Sequence, residues 1–138
     1  MSKYEYNAEY EIRAAVKMVY PFISTPQGLE EWFAERVEVL EDKFLNIHWD
    51  NESHIAKVVS QRNNSMIRYQ FVENVEEGKA KNRGKKKDVN FLELKLNYSE
   101  LTDTTYLVIR DYSEMNDDEV LEELWDGLVE TLREKLGA

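Results

Sequence analysis

Two histidines lie close together in a segment that also carries carboxylates. His48 and His54 flank Asp50 and Glu52, and transition metals accept imidazole and carboxylate ligands. Two imidazoles and a carboxylate without further partners form a poor ligand set, and strand alternation near a hairpin turns at least one ring toward water. The chain has no cysteine that could complete the set. We therefore predict no metal site.

Adjacent acidic residues occur at four places, and two carboxyl groups held close together can act as an acid–base pair. The pairs are Glu30-Glu31, Glu76-Glu77, Asp117-Asp118 and Glu122-Glu123. Neighbouring residues on a helix point roughly 100° apart, so a pair in the sequence is not a pair in space. No base is placed beside a Ser, Thr or Tyr nucleophile. We predict no catalytic residue and no enzymatic activity.

Aromatic side chains are the most informative chemical feature of the chain. Each can pack the core or form the wall of a cavity, and both alternatives remain open. Tyr69 shares one strand face with Ile67 and Phe71, so its inward hydroxyl must find a partner in the backbone, in water or in a ligand. The aromatic residues on elements expected to line the interior are Trp32, Phe33, Trp49, Tyr69, Phe71, Tyr98, Tyr106 and Trp125.

The composition narrows the functional classes. The chain has 138 residues, and we expect a single domain over residues 1–138. Its net charge of −10 repels phosphate backbones and anionic lipid surfaces, which disfavours nucleic-acid binding. No run approaches the ~18 apolar residues of a membrane span, so we expect a cytoplasmic monomer that is not inserted in a membrane. Without cysteine, disulfides and thiol chemistry are excluded, and no pattern points to a cofactor.

The elements that position these residues follow from hydrophobic periodicity. Alternation predicts a strand from Tyr4 to Ile12, and a helix over residues 16–23 tolerates Pro21 only if it begins near Met18. Thr25 and Pro26 are suited to cap and begin a second, brief helix. Period-two patterns predict six further strands, at residues 36–41, 43–50, 54–61, 66–73, 89–99 and 104–111.

The chain ends in an amphipathic pattern that predicts one long helix over residues 120–136. Asn116 and Glu119 resemble a capping box at its start. The apolar stripe comprises Leu121, Leu124, Trp125, Leu128, Leu132 and Leu136.

In the strand predicted at residues 43–50, Phe44 is out of phase with Ile47 and Trp49, which indicates a bulge in that strand.

One segment has a strongly biased charge. Residues 79–87 hold six basic residues and no acidic one. We expect a long solvated hairpin loop there, mobile over residues 76–88, with nothing to anchor it. A partner-docking role is the alternative, and the lack of interleaved aromatic residues speaks against single-stranded nucleic acid.

Seven antiparallel strands form a sheet with one apolar face. That face must be covered, and only the terminal helix is long enough to cover it. The fold class is therefore α+β, a curved seven-stranded antiparallel sheet that grips a long C-terminal helix, with two short helices at one end. Such an arrangement often leaves a lined interior space for a small apolar guest.

The segment VKMVYPFISTPQGLEEWF, residues 16–33, resembles the helix-loop-helix opening of the START-like, or Bet v 1-like (SRPBCC), superfamily. The shared features are an aromatic at Tyr20, a Pro-x-Gly-Leu turn at Pro26 and a Trp-Phe pair at Trp32. The chain is most similar to the branch of activator of Hsp90 ATPase homologues, and to a group of START-like proteins from Bacteroidetes-type bacteria. This resemblance implies the helix-grip fold, while its motifs concern packing rather than catalysis.

We therefore expect a non-enzymatic START-like domain that binds a small hydrophobic ligand, a lipid or a polyaromatic molecule, between the sheet and the terminal helix. The alternative is a protein-interaction or co-chaperone-type adaptor with a filled interior and a protein partner, which the resemblance to Hsp90 activators allows. An open apolar cavity of a few hundred cubic ångströms favours ligand binding, and a packed interior favours the adaptor. The candidate ligand-binding residues are Trp32, Tyr69, Phe71, Leu94, Leu107, Trp125 and Leu128.

Overall fold

The computed structural model describes residues 3–80 and 88–138. Seven strands and four helices follow one another in these ranges. They are β1 (Tyr4–Ile12), α1 (Val16–Ser24), α2 (Pro26–Trp32), β2 (Arg36–Glu41), β3 (Phe44–Trp49), β4 (Glu52–Arg62), β5 (Met66–Val72), α3 (Val75–Lys79), β6 (Phe91–Ser99), β7 (Thr104–Ser113) and α4 (Asp118–Leu136). All strands predicted from alternation are present, with ends displaced by at most two residues.

The strands form one antiparallel sheet in the order β1-β7-β6-β5-β4-β3-β2. Six of them run as a meander, and β1 pairs with β7 along its whole length, Tyr4 opposite Ser113 and Ile12 opposite Thr105. The helices α1, α2 and α4 cover one face, and the core lies between that face and the helices. The predicted helix-grip architecture is confirmed.

Helix α1 contains Pro21 in its interior, so the prediction that this helix begins near Met18 is wrong. The missing proline N–H removes one helical hydrogen bond. Tertiary packing holds the helix instead, because Val19, Tyr20 and Ile23 are buried against the sheet. The predicted start of α2 is confirmed, since Thr25 accepts a hydrogen bond from Gly28 N at 2.9 Å and Pro26 occupies the first turn.

Helix α4 begins two residues earlier than predicted, and its cap is Asp117 rather than Asn116. The Asp117 side chain accepts hydrogen bonds from the backbone N–H groups of Glu119 and Val120, which satisfies donors that the helix leaves unpaired. Trp125 is only 2% exposed, whereas Leu124 is 51% exposed, so Leu124 does not belong to the buried stripe. The buried residues of α4 are Leu121, Trp125, Val129 and Leu132.

The expected unanchored loop over residues 76–88 is wrong for its first part. Asn74 caps the short helix α3 by accepting from Glu77 N at 2.7 Å. Helix α3 lies on the outer face of the sheet, where Lys57 donates to the Gly78 carbonyl at 2.8 Å and Lys79 pairs with Glu41 at 2.6 Å. Most of the basic segment, residues 81–87, lies outside the described residues, so its expected mobility and its role stay predictions.

Helix α3 also explains the phase of Phe44. This residue pairs with Lys57 on the outer face, and its ring is only 4% exposed because it lies beside Gly78, where an added Cβ would come within 2.5 Å of the ring. Strand β3 therefore buries side chains on both of its faces. The register shift lies in the neighbouring strand β2, between Val39 and Glu41, and not in β3 as predicted.

Candidate ligand-binding cleft

A cleft of about 860 Å³ lies between α4 and one end of the sheet, and we call it the α4 cleft. The end of α2, the β3–β4 hairpin, the start of β6 and the end of β7 complete its walls. The side chains of Leu124 and Met115 line it and are 51% and 47% exposed, so the cleft is open to solvent on their side. An open space of this size is suited to a small organic molecule.

Aromatic rings form a connected wall of the cleft. Phe33 stacks on Trp125 with ring centroids 5.8 Å apart and meets Trp49 edge-on at 5.5 Å. Trp49 in turn stacks on His54 at 3.5 Å and meets Phe71 edge-on at 5.7 Å. Rings in these offset and edge-to-face arrangements attract one another beyond their buried area. The wall is therefore a preformed apolar surface.

Local structure positions this wall from both sides. The Trp32 indole N–H donates to the Phe22 carbonyl at 2.8 Å, which ties α2 to α1. The β3–β4 hairpin turns through Asp50 and Asn51, whose φ angles of 53° and 61° are left-handed and suit Asx residues. Glu35 accepts from Asn51 N at 3.1 Å, which joins this hairpin to the segment that follows α2.

Asp111 is the acidic group set deepest in the cleft. It lies on β7 opposite Leu92, and its Oδ2 atom accepts a hydrogen bond from the Trp125 indole N–H at 3.0 Å. Burial raises the pKa of the Asp111 carboxyl above its ordinary value, and the hydrogen bond from Trp125 opposes this only in part. The carboxyl is held in place by the same tryptophan that forms the aromatic wall.

Two further polar side chains line the cleft with buried atoms that lack a partner among the described residues. Asn90 donates through its Nδ2 atom to Glu114 at 2.9 Å, which leaves its Oδ1 atom without a donor. The Nε2 atom of His54 is likewise buried and unpartnered. Burial lowers the pKa of His54, so the imidazole is neutral near pH 7. Unpaired buried polar atoms are uncommon in native structures and call for an explanation.

The charged side chains that line the cleft carry one sign. They are Glu30, Glu31, Glu35, Asp50 and Asp111, with no Lys or Arg among the described lining residues. Glu30 accepts from Val37 N at 2.9 Å, and Lys135 lies 3.5 Å from Glu31 outside the lining. The cleft is therefore an aromatic space with an acidic rim.

The structure brings four of the seven predicted ligand-binding residues together in the cleft: Trp32, Phe71, Trp125 and Leu128. Tyr69, Leu94 and Leu107 do not line it, because they lie in the packed core with exposures of 1%, 0% and 0%. The Tyr69 hydroxyl donates to the Ile23 carbonyl of α1 at 2.6 Å, so its partner is the backbone. Burial also raises the Tyr69 pKa.

Sequence reasoning missed the polar end of the cleft. Asp111 lies on the same face of β7 as Leu107 and Ile109, two residues beyond Ile109. Strand alternation therefore turns it toward the inner face, where it lines the cleft. Asn90 is two residues before Leu92 on the same face of the sheet. His54 was weighed as a metal ligand; within residues 3–80 and 88–138, no cluster of three His, Cys, Asp or Glu side chains could hold a metal ion.

A curved antiparallel sheet that grips a long C-terminal helix, with a cleft between the two, defines the helix-grip class of ligand-binding folds. The family model of the START-like superfamily domain matches residues 1–138, and the chain belongs to that superfamily. No curated protein matches the chain significantly. Among the described residues, no helix is both long and apolar enough to cross a membrane.

The chain is similar in fold to several solved structures, and to one of them in sequence as well. The solution structure of a Bacteroides fragilis protein is 34% identical, with a TM-score of 0.59, and the match covers 98% of this chain and 92% of that one. The Aha1 dimer of Colwellia psychrerythraea is 16% identical, with a TM-score of 0.71 and 96% of each chain covered. DynU16, from the dynemicin biosynthetic locus, is 13% identical, with a TM-score of 0.70, 97% of this chain and 47% of that one covered. The last two similarities show the fold alone.

Proposed function

We propose that the protein is a non-enzymatic binding module that holds a small hydrophobic molecule in the α4 cleft. The observation that carries this proposal is the connected aromatic wall around an open space of about 860 Å³. The START-like fold, which commonly binds hydrophobic ligands, agrees with it. Affinity comes mainly from apolar burial, at roughly 25 cal/mol per Å² less the costs of association.

A titration with fatty acids, sterols and flavonoids, followed by amide and side-chain NMR shifts, tests this proposal. The expected result is a set of shifts at Phe33, Trp49 and Trp125. Trp49→Ala removes part of the wall and weakens binding of the responding compounds, whereas Tyr98→Ala, on an exposed ring of β6 outside the cleft lining, leaves binding unchanged. If no compound shifts cleft residues at millimolar concentration, or if both variants bind equally, the proposal is wrong.

A second candidate function is a protein-interaction adaptor, and one surface favours it. Strand β2 is an edge of the sheet and exposes Val39 at 64% and Leu40 at 43%. An edge strand with exposed apolar side chains is a surface on which another chain can add a strand. The core that holds Tyr69, Leu94 and Leu107 is packed, which agrees with this alternative, whereas the open α4 cleft at one end of the sheet favours the ligand-binding module. Absence of binding in the NMR titration would favour the adaptor.

A further inference from the structure

The rim of the α4 cleft selects against negative charge. Every fully charged side chain that lines it within the described residues is acidic, and the chain as a whole carries a net charge of −10. A carboxylate or phosphate in the cleft would meet carboxylates, with no Lys or Arg among the described lining residues to pair with. Such like-charge contacts in a partly desolvated site are costly. A fatty acid or a phosphorylated lipid is therefore a poor occupant.

The polar groups at the sheet end of the cleft are mainly hydrogen-bond acceptors. Asn90 lines the cleft, and its Oδ1 atom is buried without a donor among the described residues, because its amide group is committed to Glu114. One oxygen of the Asp111 carboxyl accepts a hydrogen bond from the Trp125 indole, and the second oxygen is a further acceptor. His54 also lines the cleft, and its Nε2 atom, buried without a partner among the described residues, accepts or donates according to the tautomer of the ring.

These acceptors are neighbours on the inner face of the sheet. Leu92 lies opposite Asp111, and Asn90 precedes Leu92 by two residues, so Asn90 and Asp111 occupy diagonal positions that are roughly 7–8 Å apart in an antiparallel pair. Phe71 N donates to the Asn90 carbonyl at 2.9 Å, and the Phe71 ring is 6.5 Å from the His54 ring. The row is comparable in length to a molecule of a few fused rings.

We propose, on the premise that the α4 cleft binds a small hydrophobic molecule, that its ligand is an aromatic compound, neutral or cationic, that carries hydroxyl or amine hydrogen-bond donors. The donors pair with the second oxygen of Asp111 and with Asn90, whose Oδ1 atom is otherwise buried without a partner. The rings lie against Phe33, Trp49 and Trp125. Indole and phenyl faces also attract cations, so the wall and the acidic rim favour the same charge.

Four pyrene derivatives substituted at the same carbon test this assignment: hydroxypyrene, methoxypyrene, pyrene carboxylate and pyrene methylammonium. The ring system is constant, so differences in affinity report the substituent. Titrations use pyrene fluorescence, with NMR shifts of the Trp49 and Trp125 indole groups to locate each probe. We expect the methylammonium and hydroxyl probes to bind at least about tenfold more tightly than the carboxylate at low salt, with methoxypyrene between them.

Asp111→Asn separates the role of the carboxylate from general electrostatics. The asparagine keeps an oxygen to accept from the Trp125 indole, so the aromatic wall is retained. We expect the variant to weaken binding of pyrene methylammonium by about tenfold and of methoxypyrene by less than about twofold. Asp126→Asn is the matched control: it also removes one negative charge, but from α4 outside the cleft lining, where Asp126 accepts from Tyr10 at 2.6 Å.

The outcomes distinguish the ligand class from the existence of the site. If pyrene carboxylate binds as tightly as pyrene methylammonium, or if Asp111→Asn changes all four affinities equally, the ligand class is wrong although the cleft binds aromatic molecules. An equal effect of Asp126→Asn also overturns the assignment, since the selectivity then comes from overall charge. If no probe shifts the Trp49 or Trp125 resonances, the proposed function itself fails together with the ligand class.

Discussion

At the scale of single residues, the Tyr69 hydroxyl is a structural group. It is buried in the core, where it donates to the Ile23 carbonyl at 2.6 Å, and it lies outside the lining of the α4 cleft. We expect Tyr69→Phe to lower the free energy of unfolding by about 1 kcal/mol, because the Ile23 carbonyl loses its partner. Urea denaturation measures the loss, and the affinity for hydroxypyrene stays unchanged.

Tyr98→Phe provides the comparison for Tyr69→Phe. The Tyr98 hydroxyl donates to Asp103 on an exposed surface, and its removal is expected to leave the free energy of unfolding within about 0.5 kcal/mol of the wild type. A Tyr69→Phe variant with unchanged stability and altered ligand selectivity would show that the Tyr69 hydroxyl takes part in ligand binding, contrary to this account.

Asp111 makes stability depend on pH in a direction opposite to that of most carboxylates. Burial raises its folded-state pKa above the unfolded value, so between the two values the folded state binds more protons than the unfolded state. The contribution of this group to stability is therefore present below the unfolded pKa and is lost as pH rises through the folded pKa.

We expect Asp111→Asn to have a higher denaturation midpoint than the wild type at pH 7, because the variant has no charge to desolvate. The difference between the two proteins shrinks as pH falls toward about 4, the ordinary range of aspartate. Denaturant midpoints of both proteins across this range measure it. A constant difference at every pH, or a less stable variant at pH 7, would contradict the burial of a charged Asp111.

At the scale of elements, the contact between α1 and α2 depends on a residue without a Cβ. A Cβ on Gly28 would lie 2.0 Å from the Pro21 carbonyl oxygen, whereas a Cβ on Gly127 of α4 would meet nothing within 4 Å. We expect Gly28→Ala to push the two helices apart and lower the unfolding free energy by more than about 2 kcal/mol. Gly127→Ala is expected to raise it by about 0.5–1 kcal/mol, since alanine favours a helix interior.

Thermal or urea denaturation of these two alanine variants measures both effects with one chemical change. Equal effects of the two substitutions would show that the close approach of α1 and α2 does not limit stability. Loss of the Trp32 indole hydrogen bond to Phe22 in Gly28→Ala, seen as a shift of its N–H resonance, would locate the damage between the two helices.

Strands and α4 could be predicted because each repeats its period over many residues, while α3 could not. Helix α3 spans five residues, Val75–Lys79, and none of them is buried, so it has no apolar stripe to detect. The available signal was local: Asn74 precedes Glu77 by three residues, and the Glu77 side chain accepts from Glu73 N at 3.1 Å. Such a capping pattern, read beside an outward apolar Phe44, indicates a short helix over that ring.

At the scale of the whole molecule, alternation predicts which face of the sheet a residue occupies but not which helix covers it. Tyr69, Leu94 and Leu107 do face inward, as predicted, and are sealed in the packed core; α1 covers Tyr69 through Ile23. The cleft opens at the other end of the same face, between α4, the end of α2 and the β3–β4 hairpin. That position depends on how α4, α2 and the hairpin pack against one another, which no local pattern in the sequence specifies.

The central claim is that a hydrogen-bond-donating aromatic molecule occupies the α4 cleft, and intermolecular NOEs from bound hydroxypyrene test it most directly. The account predicts NOEs from the pyrene protons to Trp49, Leu124 and Met115, which line the cleft. Phe91 and Tyr112 form a stacked pair at 5.3 Å that packs on the outer face of the sheet. NOEs confined to Phe91, or no NOE to the cleft at saturating hydroxypyrene, would contradict the account.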